Sequence, residues 1–265
     1  MARPDKGVDG DASQGRIVTT DEFEEALHAA VGRPRAEMRT RTVGRFVTKE
    51  LVREPGAHRT SWAQAYVKLG YPQTIKLIVN LNLKQGDLSS ADYARLSNLA
   101  LAGIRRYWSR TVRIANIPFS VEVLAAQDLR NGISAQLRIA KGQEYERSNN
   151  VAVLWIDARF IYNAGFFEGS VYGDQDFMQT CAHEFGHSVL TEFGGIARSW
   201  THEGSTSIFQ STTRLTPGYP KTGEINLMNY YDEKKGKASF DRIFADTRAS
   251  EFDLLCLLWM SRLAF

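Results

Sequence analysis

The chain has 265 residues, 43% hydrophobic and 24% charged, a balance that fits a globular protein and excludes a low-complexity or disordered polymer. Its 33 Lys and Arg against 30 Asp and Glu leave a formal charge of +3 with no basic run, so neither nucleic acid nor a membrane surface is an expected partner. The longest apolar run, "LLCLLWM" at 254–260, is too short to cross a bilayer.

The N-terminal stretch "MARPDKGVDGDASQG" lacks the apolar core that a secretory signal needs. The expectation is a protein exported without a signal peptide, or a piece of a longer chain. Residues 1–20, rich in Gly, Asp, Ser and Pro, read as a leader, and "TTDEFEEALHAAV" reads as a helix capped by Thr20 or Asp21. The basic "GRPRAEMRTRTVGRF" interrupts helix-compatible patches that run to about Lys68. The whole of 1–70 is expected to be a flexible or helical extension, with the main domain over 71–265.

From Thr74, "TIKLIVNLNLK" alternates Ile75, Leu77, Val79, Leu81 and Leu83 against polar neighbours, the pattern of a half-buried strand. "DLSSADYARLSNLALAGIRRYWSR" follows as a long amphipathic helix with Ser89 or Ser90 as its N-cap. "FSVEVLAA" reads as a second strand and "VAVLWIDA" (151–158) as a central one, because it is apolar on both faces. The polar "AKGQEYERSNN" between them reads as a loop or irregular edge.

"DQDFMQTCAHEFGHSVLTEF" is expected to be a helix, with Asp174 or Asp176 as N-cap and Gly194 as the glycine that ends it. A last helix over about 248–263 carries Ser250 and Asp253 in capping-box spacing. Cys181 and Cys256, 75 positions apart, define no disulfide framework or thiolate cluster and read as core residues, a single bridge being the other option.

The chemistry is concentrated in H-E-x-x-H. Positions i and i+4 are neighbours on a helix, so His183 and His187 can offer two imidazoles to one cation. Glu184 stands where its carboxylate can reach a water on that cation rather than the cation itself, as a hydrolase's proton acceptor and donor would. The expected cofactor is Zn2+, and the bland alternative is a surface helix with two solvated histidines. A catalytic zinc usually takes a third protein ligand. Glu192 is about 140° around the helix from His187, and so points away. His202 is the preferred candidate because it follows the Gly194–Gly195 turn; Glu203, Glu224 and Asp232 remain alternatives.

These residues resemble the zincin metallopeptidases, and the order of strand, long helix, strands and H-E-x-x-H helix over 74–195 is similar to the zincin N-terminal subdomain. The resemblance implies an α+β fold with a mixed sheet, an active-site helix and a smaller C-terminal subdomain. The longer metzincin signature is broken, because Leu190 and Phe193 stand at its glycine and third-histidine positions. "EINLMNYYDE" nevertheless resembles the metzincin Met-turn, which implies Met228 beneath the metal and Tyr230 as an oxyanion donor.

"SWTHEGST" and "TGEINLMNYY" are also similar to zinc-peptidase toxin domains on type VI secretion spike and polymorphic toxin proteins. That resemblance implies a secreted antibacterial effector acting in the periplasm or cytoplasm of a target cell. Its partners would be a protein or peptide substrate, a carrier from the secretion apparatus and an immunity protein. The rival readings are a zinc amidase acting on cell-wall peptides and a non-catalytic binding module with a structural metal.

Overall fold

A computed structural model describes residues 19–32, 37–43, 46–52, 60–149, 158–200 and 214–265. The first element, α1 (Thr20–Ala30), starts from Thr19, whose hydroxyl accepts from the Glu22 amide while the Glu22 carboxylate accepts from the Thr19 amide. The cap is thus one residue earlier than expected. Next come β1 (Glu37–Val43) and β2 (Phe46–Val52), an antiparallel pair where the sequence suggested helical patches. Alternating Thr, Val and Arg favours an extended chain, which the reading of 1–70 as a flexible or helical extension overlooked.

A seven-stranded mixed sheet organises the remainder. β3 (Ala63–Lys68) runs antiparallel to β4 (Thr74–Lys84), whose five predicted inward residues are all buried. Helix α2 (Ser90–Trp108) is capped by Ser89, and β5 (Arg110–Ile114) then pairs antiparallel with β6 (Ile117–Gln127). Two parallel partners share the same edge of β4: β6 along residues 74–81 and β7 (Ile133–Ala140) along 81–84. Between them the chain makes a tight turn at Asp128, whose carboxylate accepts from the Arg130 and Asn131 amides, and then continues in the same direction.

Strand β8 (Ala158–Asn163) lies parallel to β7 at the outer end of the sheet. Of the expected central strand 151–158, only Ala158 falls in the described residues. β3, β5 and β7 were not anticipated. β3 and β5 are short, and β7 is mixed in polarity with its β4 partner well before it in sequence.

The long helix α3 (Tyr172–Trp200) packs on α2 and β8. Two short parallel strands, β9 (Ile225–Asn226) and β10 (Thr247–Arg248), then flank α4 (Phe240–Asp246). Helix α5 (Glu251–Met260) has the expected Ser250–Asp253 capping box, and β11 (Arg262–Ala264) pairs with β3. The C-terminal chain therefore returns to the main sheet. The architecture is α+β.

The N-terminal helix α1 and the C-terminal helix α5 enter one core. Phe23 and Leu27 of α1 are buried, Phe23 lies 5.4 Å edge-on to Phe119, and Trp259 Nε1 donates to His28 Nδ1 at 3.2 Å. Residues 1–70 thus contribute α1 and β3 to the packed domain rather than only an appended segment. Cys181 and Cys256 are buried and are not joined in a disulfide.

Candidate metal centre

Helix α3 begins two residues before the expected Asp174 cap. Asp174 sits in its first turn, where a negative charge is favoured, and is tied to Arg95 of α2 and to the Tyr162 hydroxyl of β8 at 2.8 Å. One face of α3 is core: Phe177, Cys181, Ala182, Phe185, Val189, Leu190 and Phe193 are all buried. Phe193 packs on Trp259 at 5.4 Å, so the position of a metzincin third histidine faces the core. Trp108 donates from its indole to the Ala182 carbonyl at 3.0 Å and meets Phe185 edge-on at 5.1 Å, which fixes the rotation of α3 about its axis. The opposite face then presents Asp176, Thr180, His183 and Glu184 to a cleft of about 250 Å³.

The His183 and His187 rings are 4.9 Å apart, as the i, i+4 spacing predicts. His183 Nδ1 is 2.8 Å from the Leu227 carbonyl. A carbonyl only accepts, so Nδ1 carries the proton and Nε2 has the ligating lone pair. His187 Nδ1 is 2.9 Å from the hydroxyl of Ser199, which can take either role.

Ser199 gets there because α3 breaks at Gly195, with φ of 82°, a left-handed conformation that glycine adopts without a Cβ penalty. Gly194 was the expected stop. The break comes one residue later, and helical turns resume in a new direction that brings Ser199 back to His187.

The second wall is the segment 225–231. The Leu227 amide donates to the Arg248 carbonyl at 2.8 Å, and the Asn226 side chain accepts from the Met228 amide at 2.9 Å. The turn is thereby fixed from both sides. Met228 is buried directly under α3: a Cβ built on Gly186 would lie 2.2 Å from its sulfur. Gly186 is therefore required by this close approach. The Tyr230 ring stands 5.7 Å from the His183 ring.

Burial dominates the electrostatics. It pushes Glu184 up to about 8, with Arg147 partly opposing, and lowers His183 so that its imidazole is neutral, the form a metal needs. Desolvation raises Tyr230 to about 12, so its hydroxyl keeps its proton and can donate. Asp176 is pushed up to about 7 by burial, a hydrogen bond from Tyr145 holding it partly down.

The donor set fits a metal: two imidazoles on one helix face, each with Nδ1 hydrogen-bonded behind it, next to a carboxyl in the cleft. Among the described residues no group of three His, Cys, Asp or Glu side chains gathers in ligating geometry. The preferred third ligand, His202, and its neighbour Glu203 lie outside the described residues. The two distal alternatives are engaged elsewhere. Glu224 pairs with Arg110 at 3.2 Å, and Asp232 accepts from the Lys234 amide at 3.0 Å.

Sequence reading missed four participants: Ser199, the Leu227 carbonyl, Arg147 and Asp176. Only Asp176 left a signal, since it is seven positions before His183 and thus on the same helix face.

The chain matches no protein-family model, and comparisons with curated proteins and with solved structures also find no match.

Proposed function

We propose that the protein is a zinc-dependent metallopeptidase of zincin-like architecture, hydrolysing peptide bonds in the cleft beneath α3. The observation that carries this reading is the backing of both histidines, Nδ1 of His183 on the Leu227 carbonyl and Nδ1 of His187 on Ser199. A surface helix with two solvated histidines would have no reason for either contact, and His187 and Glu184 are buried.

His183 and His187 would hold the cation through Nε2. His202 is proposed as the third ligand: Ser199, only three positions earlier, is already at His187, and three residues span up to about 10 Å. When bound, zinc would polarise the scissile carbonyl, acidify a water and, as a dication, favour ionised Glu184.

Glu184 accepts the proton of the attacking water and passes it to the leaving nitrogen, so that one water and one amide give one carboxylate and one ammonium group. Tyr230, protonated and facing His183, donates a hydrogen bond to the oxyanion that develops on the carbonyl. Delivery as an antibacterial effector, with a carrier and an immunity protein, is proposed on the sequence resemblance.

The test is metal analysis together with cleavage assays on a protein panel and on purified cell wall, for wild type and Glu184→Ala. About one zinc per chain in both proteins is expected, with hydrolysis at least roughly 100-fold slower in the variant. Cleavage confined to cell wall would move the reading to the amidase. Full biological effect in Glu184→Ala would make the metal structural and the catalytic reading wrong.

A further inference from the structure

The wall of the cleft opposite α3 is formed by the polar loop before β8, and it is more ordered than its composition suggests. Asn163, itself buried, accepts from the Glu146 amide at 2.8 Å through its side-chain oxygen and donates to the Glu146 carbonyl at 3.0 Å. Ser148 Oγ accepts from the Ile161 amide at 2.8 Å. Asn149 forms an antiparallel bridge with Arg159, with bonds of 3.1 and 2.8 Å. Three consecutive anchors thus hold the backbone on the outer edge of β8. Arg147 lies between two of them, and its side chain lines the cleft.

Among the described residues lining the cleft Arg147 is the one fixed cation; Glu184 and Asp176 are carboxyls whose burial favours the neutral form, and burial lowers the His183 imidazole. Its guanidinium carbon is 5.9 Å from the Tyr230 ring, which is 5.7 Å from the His183 ring. The fork is therefore within about 12 Å of His183, at most three or four extended residues at ~3.3 Å each. A guanidinium presents its N–H donors in a planar fork that a carboxylate matches with two parallel bonds. The burial that disfavours negative charge on Glu184 and Asp176 disfavours a substrate carboxylate along that wall in the same way, away from the metal position itself.

We infer that Arg147 is the specificity residue of the cleft and takes a substrate carboxylate within a few residues of the scissile bond. This rests on the peptidase reading above. Two sources share that chemistry: the free C-terminus of a peptide and an acidic side chain within one. The anchors at Glu146, Ser148 and Asn149 give the contact its value, because the backbone that carries the fork is fixed before substrate arrives.

The experiment titrates zinc-loaded Glu184→Ala protein, which should bind without turnover, with N-acetylated alanine pentapeptides. One has a free C-terminal carboxylate, one a C-terminal amide, and two further amidated sets carry a single Glu or a single Gln at each internal position. We expect one carboxylate peptide to bind about tenfold or more tightly than its neutral counterpart. Adding Arg147→Met should abolish that preference, and Arg147→Lys should retain part of it. Preference for the free carboxylate or for internal Glu identifies the source.

Equal binding of charged and neutral peptides, or a preference that survives Arg147→Met, overturns the inference, as does binding of none of them. Wild-type cleavage of the same peptides separates the two proposals. Arg147-dependent binding without cleavage sinks the peptidase reading and leaves the carboxylate site standing. Cleavage without charge preference does the reverse.

Discussion

Gly186 offers the most direct test of how the site is built. It is the only residue between Phe185 and His187, and a Cβ placed there would lie 2.2 Å from Met228 Sδ, 2.8 Å from its Cε and 3.1 Å from Trp108 Cζ2. Ordinary carbon contacts are about 3.5–4.0 Å, so Gly186→Ala forces an overlap of more than ~1 Å. Met228 is 2% exposed and Trp108 is 0% exposed, so neither can swing into solvent.

Overpacking of this kind costs about 1–3 kcal/mol, against a gain of up to about 1 kcal/mol for replacing a mid-helix glycine by alanine. In the Met228→Ala background most of the clash is gone and the helix gain remains. Gly186→Ala should therefore destabilise the wild type yet be neutral or stabilising beside Met228→Ala, a coupling of about 1–3 kcal/mol. Because the Leu227 carbonyl behind His183 is adjacent to Met228, the single variant should also bind zinc roughly 10–100-fold more weakly. Urea denaturation of all four proteins, at fixed zinc and again with chelator, separates packing from metal linkage. Additivity within about 0.5 kcal/mol in chelator would refute the reasoning.

Three further outcomes are expected. Ser199→Ala removes the partner of His187 Nδ1 and should weaken zinc binding about 10–100-fold in a chelator competition; an unchanged affinity means that this contact does not orient the ring. Tyr230→Phe should lower kcat about 100-fold with little change in KM, because the hydroxyl acts on charge that develops only in the transition state; a change in KM alone would reassign Tyr230 to substrate binding. Asp176, raised by burial to about 7, favours the folded state fully below its ordinary value near 3.8, and that contribution is lost as pH rises through about 7. Asp176→Asn should therefore gain stability relative to wild type between pH 4 and 8, by up to a few kcal/mol at ~1.4 kcal/mol per pH unit. Thermal melts that differ equally at both pH values would contradict this.

The local signals in the sequence reached far. Strict alternation over 74–84 specified β4, Ser89 and Ser250 marked two helix starts, and the i, i+4 spacing of His183 and His187 put both rings on one face of α3. All of these depend on side chains a few positions apart, where backbone geometry alone decides who meets whom. The stretch "EINLMNYYDE" singled out Met228 and Tyr230, which the structure puts under Gly186 and beside the His183 ring.

What surrounds those residues is set by contacts across the chain. The Leu227 carbonyl behind His183 is 44 residues away and belongs to the backbone, so no side chain at 227 advertises it. Arg147 faces the cleft only because Asn163, Ile161 and Arg159 anchor the loop around it, a strand-edge arrangement that polar composition does not encode. β3 was hidden in part for the same reason: β4 follows it closely, but its other partner, β11, is nearly two hundred residues further along the chain. The sequence by itself thus determined the helix that carries the H-E-x-x-H motif and the residue types on it. The tertiary structure decided which nitrogen of each histidine is held from behind, what lies beneath Gly186 and which charge faces the cleft, because each depends on groups brought together only when distant segments pack.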